Sequence, residues 1–187
     1  MVHMVQKRNI RNEIILALLK EKQLHLRAIS KFINCPHSTV QREIINLKNR
    51  VILNYNSVGK NKIISIKKGA ESLYIIYQAE YYKTSKFLES HPEFSVLIEK
   101  LFKIKNIGLI ILFGSYTKGL EKKDSDIDLF VETDSRIIRE EIKNINSRLN
   151  VKIGKFDKET PLGREIIKNH IIMKGVELFY EKNPIFD

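Results

Sequence analysis

The sequence predicts an α+β chain in two parts, and three observations carry that prediction. The net positive charge lies almost wholly in one half, three short helical patterns run into a β-hairpin, and strand and helix patterns alternate through the remainder. The chain has 187 residues, with 33 Lys and Arg against 22 Asp and Glu, for a net charge of +11. Residues 1–92 hold 16 basic and 6 acidic side chains, whereas 93–187 hold 17 and 16. An excess lying almost wholly in the first half points to a polyanionic partner for that half, with nucleic acid the first candidate. Hydrophobic residues make up 43% of the chain, enough for a packed core and too many for wholesale disorder. No apolar run reaches the ~18–20 residues that cross a bilayer. Lys7, Arg8, Arg11 and Glu13 interrupt the N-terminal apolar residues without a small-residue cleavage site, which argues against a secretory signal. The single cysteine, Cys35, permits no internal disulfide and suits a reducing compartment. The expectation is a soluble cytoplasmic protein with no membrane partner.

Ile10, Ile14, Ala17 and Leu18 recur at helical spacing and predict a helix over 8–21. Leu26, Ile29 and Ile33 repeat the pattern in a shorter helix, which Cys35-Pro36 ends because proline disfavours a helical residue before it. Ser38-Thr39-Val40-Gln41 reads as a capping box opening a third helix. Val40, Ile44 and Leu47 form its apolar face and leave Thr39, Gln41, Arg42 and Lys48 outward. Val51–Tyr55 and Ile63–Ile66 flank Gly59-Lys60-Asn61-Lys62, a hairpin with a basic tip. Cys35 reads as a small buried hydrophobe.

Ala70–Glu89 contains neither Gly nor Pro and spaces Tyr74, Tyr77, Tyr81 and Leu88 as one side of a linker helix. Such an aromatic side suits pairing with a second copy as well as packing on its own domain. His91-Pro92 marks the next boundary, which gives domains over 1–69 and 92–187 joined by a linker helix over 70–91. Beyond it, Phe94, Leu97, Ile98 and Leu101 mark a helix, and Ile107–Phe113 is a continuous apolar run of strand length. Ile127–Val131 reads as a strand, Ile138, Ile142, Ile145 and Leu149 as a helix face, and Val151–Phe156 as a third strand. Thr160-Pro161 is a helix start, Gly175 after Lys174 closes that helix, and Val176–Tyr180 reads as a last strand. His170, among Ile167, Ile171 and Ile172, is expected on that helix as a packing or surface histidine.

The chemistry concentrates in Leu112–Glu132, LFGSYTKGLEKKDSDIDLFVE. Gly114-Ser115 ends the apolar strand, and ten residues separate Ser115 from Asp126. Asp126 and Asp128 stand two apart, so in a strand both project from one face while Ile127 and Leu129 enter the core. Adjacent carboxylates repel unless a cation lies between them. An oxygen-only set of this kind suits Mg²⁺ or Mn²⁺ held together with substrate phosphates. The Gly-Ser turn lets backbone N–H groups and a hydroxyl approach those phosphates.

Over 8–68 the three helices and basic hairpin resemble a winged helix-turn-helix domain. The resemblance implies DNA contact through Ser38, Thr39, Gln41 and Arg42 in the major groove, with Lys60 and Lys62 on the backbone phosphates. Over about 93–182 the chain resembles the DNA polymerase beta-like nucleotidyltransferase superfamily. Phe113, Gly114, Ser115, Asp126, Ile127, Asp128 and Leu129 match its signature position by position. In size it is similar to the minimal members, among them antitoxins paired with HEPN-type toxins, and the whole chain resembles archaeal proteins with a helix-turn-helix ahead of such a domain.

That resemblance implies a small mixed sheet flanked by helices and transfer of a nucleoside monophosphate from an NTP, such as ATP, to an acceptor hydroxyl. Asp126 and Asp128 would hold two Mg²⁺ ions, and Gly114 and Ser115 would grip the phosphates. A third carboxylate is expected from the next strand. There Asn150, Lys152 and Gly154 face the site, Asp157 at the strand end is the only acidic candidate, and Lys152 would otherwise meet the triphosphate. Two readings stay open: an enzyme localised by its DNA-binding domain, or a DNA-binding, antitoxin-like regulator whose second domain binds nucleotide without turnover. Modification of a small molecule is a third, although little chain remains for an acceptor domain.

Overall fold

The computed structural model describes residues 8–50, 52–58 and 61–186. The chain divides into two compact units, one running to Tyr82 with Phe186 added, the other taking Lys83–Ile185.

In the first unit, α1 (Ile10–Glu21) opens on Asn9, whose side chain accepts from the Asn12 N–H. A three-residue strand, β1 (Gln23–His25), follows, then α2 (Leu26–Phe32) and α3 (His37–Asn49). β2 (Leu53–Val58) and β3 (Asn61–Ile66) form the expected hairpin, and β1 pairs antiparallel with β3 to give the order β1-β3-β2. Ile14, Ile15, Ile29, Val40, Ile44 and Leu47 are buried at its centre. One expectation fails here. The third helix starts at His37, one residue before Ser38, with Pro36 as its cap and no side-chain capping bond. Proline already holds φ at −53°, and its carbonyl accepts from the Thr39 and Val40 N–H groups, so no capping box is needed. Cys35 is buried as a free thiol.

Helix α4 (Ala70–Ser90) spans 21 residues, and the division between units falls inside it rather than at His91-Pro92. Its first part packs within the first unit: Ile75, Ile76 and Ala79 are buried, and the Tyr82 hydroxyl donates to Glu13 Oε1 at 3.2 Å. Tyr74 and Tyr81 are exposed.

The second unit continues through α5 (Glu93–Lys103), β4 (Ile110–Phe113), the single turn α6 (Ser115–Lys118) and β5 (Ile127–Glu132). Then come α7 (Arg136–Lys143), β6 (Leu149–Gly154), α8 (Pro161–Lys168), β7 (Ile171–Lys174) and α9 (Val176–Lys182). The sheet runs β6-β5-β4-β7, with β5 and β6 parallel and the other pairs antiparallel. It is therefore mixed, as expected. Helix α5 buries Phe94, Leu97 and Leu101 in the cluster formed with Leu112, Leu129 and Val151.

The last third differs from the expectation in three places. Helix α7 ends at Lys143, so Ile145 lies beyond it and Leu149, expected on its face, opens β6, where pairing with Ile127 makes it strand. The helix opened by Thr160 and Pro161 ends at Lys168, and Ile171–Lys174 is a strand pairing with β4. His170 therefore lies between elements, its Nδ1 2.8 Å from the Ile166 carbonyl. Val176–Tyr180 is helical: Val176, Phe179 and Tyr180 fall at i, i+3 and i+4 and share one buried face. Strand propensity favours such a run of Val, Phe and Tyr, but burial on a 3.6-residue period overrides it. No helix among the described residues is long and apolar enough to cross a membrane.

Candidate functional site

β4 delivers its last residue, Phe113, opposite Asp128 in the antiparallel pairing with β5. At that point the chain turns through Gly114, with φ 78° and ψ −145°, into α6. The glycine is required twice. Its backbone conformation is one that L residues rarely adopt, and a Cβ there would lie 2.1 Å from Asp128 Oδ2. The turn and the carboxylate are thus in mutual contact. Ser115, half-buried, opens α6 directly beside them.

The strand alternation holds as expected. Ile127 and Leu129 are buried in the core, while Asp126 is exposed and Asp128 half-buried. In the parallel pairing, Asp128 stands beside Asn150 and Phe130 beside Lys152. Paired residues share a face, so Asp128, Asn150 and Lys152 belong to one surface of the sheet, and Asp126 stands immediately before β5. The Asn150 amide donates to Asp128 Oδ1 at 2.7 Å. Lys152 is exposed, one step farther along β6. Farther along the same face, Glu132 accepts from Lys182 Nζ at 2.8 Å and from the Phe156 N–H at 3.1 Å.

Asp157 is not brought to this cluster. It lies three residues past the opposite end of β6, where its Oδ1 accepts from the Glu159 N–H at 2.9 Å. Its carbonyl takes the Thr160 hydroxyl at 2.8 Å, so the residue belongs to the turn that starts α8. The parallel register places the carboxylate pair at the N-terminal end of β6 and Asp157 beyond its C-terminal end.

Two anchors of the loop leading to Asp126 were not apparent in the sequence. Arg148 Nη1 donates to the Lys123 carbonyl at 3.0 Å, and its own carbonyl accepts from the Ile127 N–H at 2.8 Å. His91 stacks on Phe87 with centroids 4.4 Å apart and places Nε2 3.2 Å from Glu121 Oε1. The Glu121 carboxyl is held below its ordinary value chiefly by its own backbone N–H, then by His91. Separately, a groove of about 490 Å³ between α6 and α8 is lined by Lys118, Arg164 and Lys168; neither Asp126 nor Asp128 lines it.

Among the described residues no group of three or more His, Cys, Asp or Glu side chains could hold a metal ion. A divalent cation at this site would draw on Asp126, Asp128 and the oxygens of a bound substrate. That donor set fits Mg²⁺ or Mn²⁺, which bind through one or two carboxylates plus phosphates.

In the first unit, Ser38, Gln41 and Arg42 are exposed on α3 and Thr39 is half-buried. Lys60 lies outside the described residues. Lys62 is exposed, and its Nζ sits 6.0 Å from the Tyr55 ring centroid, which Lys48 Nζ also approaches at 5.2 Å. Burial raises the Tyr55 phenol above its ordinary pKa. One aromatic thus gathers a cation from α3 and one from the hairpin.

The site is thus a Gly-Ser turn set against Asp128 on an antiparallel neighbour, with Asp126 just before that strand, in a small mixed sheet. Residues 96–184, which lie within the second unit, match the family model described as Polymerase beta, Nucleotidyltransferase. No curated protein matches the chain. Among solved structures, one described as the crystal structure of the toxin-antitoxin with AMP-PNP is 28% identical over 46% of this chain and 80% of its own, with a TM-score of 0.35.

Proposed function

We propose that the second unit transfers a nucleoside monophosphate from an NTP to an acceptor hydroxyl, with Mg²⁺ or Mn²⁺, and that the first unit binds DNA. The observation that carries the first part is the contact between Gly114 and Asp128 within the matched domain. The turn that would grip phosphates and the carboxylates that would hold their counter-ion are built against each other. Gly114 and Ser115 bring backbone N–H groups and a hydroxyl to the distal phosphates. Asp126 and Asp128 would hold the cation. When bound, the cation neutralises charge developing on the phosphoryl oxygens. The acceptor oxygen forms a bond to the α-phosphorus, the α–β bridging bond breaks, pyrophosphate leaves, and the acceptor proton passes to solvent.

The DNA-binding part is supported by the element order α1-β1-α2-α3-β2-β3, the sheet order β1-β3-β2 and the outward residues of α3, an arrangement that suits a winged helix. The alternative, a DNA-binding regulator whose second unit binds nucleotide without turnover, is favoured by one observation: an amide, not a carboxylate, stands beside Asp128.

The test is calorimetric titration of the full chain with ATP and GTP, with and without Mg²⁺ or Mn²⁺, beside an Asp126→Asn/Asp128→Asn variant. Metal-dependent binding that the variant loses is the expected result. Binding indifferent to metal and to the substitutions refutes the carboxylate assignment, and no binding refutes the nucleotide site.

A further inference from the structure

The parallel register of β5 and β6 puts Asn150 where a third acidic ligand would reach the site, and its amide is already committed. Nδ2 donates to Asp128 Oδ1 at 2.7 Å. The orientation follows from charge, since turning the amide carbonyl toward a carboxylate would set two acceptors against each other. On the other side, Oδ2 lies so close to Gly114 that even a methyl group there would meet it at 2.1 Å. Asn150 on β6 and Gly114, in the turn that follows β4, therefore fix the Asp128 carboxylate from two sides.

We infer that Asn150 is a positioning residue that aims Asp128 and restricts the site to a single divalent cation. This rests on the nucleotidyltransferase reading above. At the site itself the protein brings two negative charges, from Asp126 and Asp128, while Glu132, farther along β5, is paired with Lys182 Nζ at 2.8 Å. The β6 residues on the site face add none: Asn150 is neutral and Lys152, exposed and one step beyond, is cationic. Two divalent ions around a triphosphate need carboxylates facing both, since each ion must recover in ligand charge what it loses in hydration. Asp157 does not supply the missing charge, because its Oδ1 is held by the Glu159 N–H in the turn that starts α8. The acceptor hydroxyl is thus activated without help from a carboxylate on β6.

The experiment titrates Mn²⁺ into the full chain with a non-hydrolysable ATP analogue whose α–β bridge is methylene, reading free Mn²⁺ by electron paramagnetic resonance. The wild type is expected to take up about one ion per chain and Asn150→Asp about two. Asn150→Ala, which removes the donor without adding charge, keeps about one ion but binds it several-fold more weakly, because Asp128 loses its restraint. Lys152→Asp, one step away, serves as the position control and leaves uptake at about one ion. If Asn150→Asp folds only with Mn²⁺, melts with and without the ion register that dependence, which also supports the inference. Two ions in the wild type, one in a folded Asn150→Asp chain, or unchanged affinity in Asn150→Ala overturns it. A wild type that binds the analogue with two ions refutes this inference alone. A wild type and an Asn150→Asp variant that both bind neither analogue nor ion refute the nucleotidyltransferase reading with it.

Discussion

Replacing Gly114 by alanine tests the contact on which the site is built. Two costs can be worked from the structure. At φ 78° and ψ −145° an alanine sits outside the regions open to L residues, which costs about 1–3 kcal/mol. Its Cβ would also stand 2.1 Å from Asp128 Oδ2, a distance real Cβ contacts essentially never show, and 3.0 Å from Cγ. Relief requires the carboxylate to swing away and give up its bond from Asn150. A hydrogen bond to a charged group is worth about 1.5–3 kcal/mol, and the half-buried position of Asp128 favours the low end. With the second term at its low end the sum is about 2.5–4.5 kcal/mol, a large part of the ~5–15 kcal/mol that holds a domain folded.

Urea denaturation measures it, with Gly119→Ala as the control. Gly119 also has positive φ, 64°, but nothing lies within 4 Å of a Cβ there, so only the backbone cost of about 1–2 kcal/mol applies. Repeating Gly114→Ala in an Asp128→Ala background removes the clashing carboxylate, and the coupling between the two substitutions should be about 1.5–3 kcal/mol. Equal costs at Gly114 and Gly119, or no coupling to Asp128, would refute the reasoning.

Three further outcomes are expected. Asp157→Ala removes the acceptor for the Glu159 N–H and should cost about 1 kcal/mol in thermal melts, while leaving metal-dependent nucleotide binding intact; lost binding would return Asp157 to the site. Glu121→Gln should lower stability by less than about 1 kcal/mol near pH 7. Because folding depresses the Glu121 carboxyl, its contribution exists above the unfolded pKa and fades as the pH falls through the lower folded one. The melting difference between wild type and variant should accordingly close in acid, and a difference independent of pH would exclude the His91 pairing as its source. Arg42→Ala should weaken DNA binding at every sequence tried and lower the salt slope by about 0.9 if that side chain meets one phosphate, whereas an unchanged slope would remove α3 from the interface.

What the sequence revealed, and what it hid, follows from the range of the forces involved. Elements set by local period were legible: α1, α4, α5 and the β2–β3 hairpin stand where apolar spacing and turn residues put them. Elements that exist only through a distant partner were not. β1 has three residues and is a strand because β3 runs beside it, from Gln23↔Ser65 to His25↔Ile63. Ile171–Lys174 continues an apolar helical pattern in sequence, yet pairing with β4 makes it a strand. The reverse happened at Val176–Tyr180, where strand-prone residues fold as α9 because one helical face is buried.

The carboxylate pair and the third position divide along the same line. Alternation along one strand is a strict geometric rule, so Asp128 could be placed opposite the core-facing Ile127 and Leu129 from spacing alone, whereas Asp126 falls one residue before β5. The same rule put Asn150, Lys152 and Gly154 on the facing side of β6, but it could not say which of them meets Asp128. Register decides that, and register is set by the pairing of Ile127 with Leu149. Had β6 slid by two residues, Lys152 would stand beside Asp128, every face assignment would survive, and a cation would neutralise the carboxylate that the site needs. The observed register instead gives Asp128 a neutral donor on one side and a glycine on the other. Both restrain the carboxylate, and neither cancels its charge. That combination is what a cation-holding carboxylate requires, and the register between the two strands provides it.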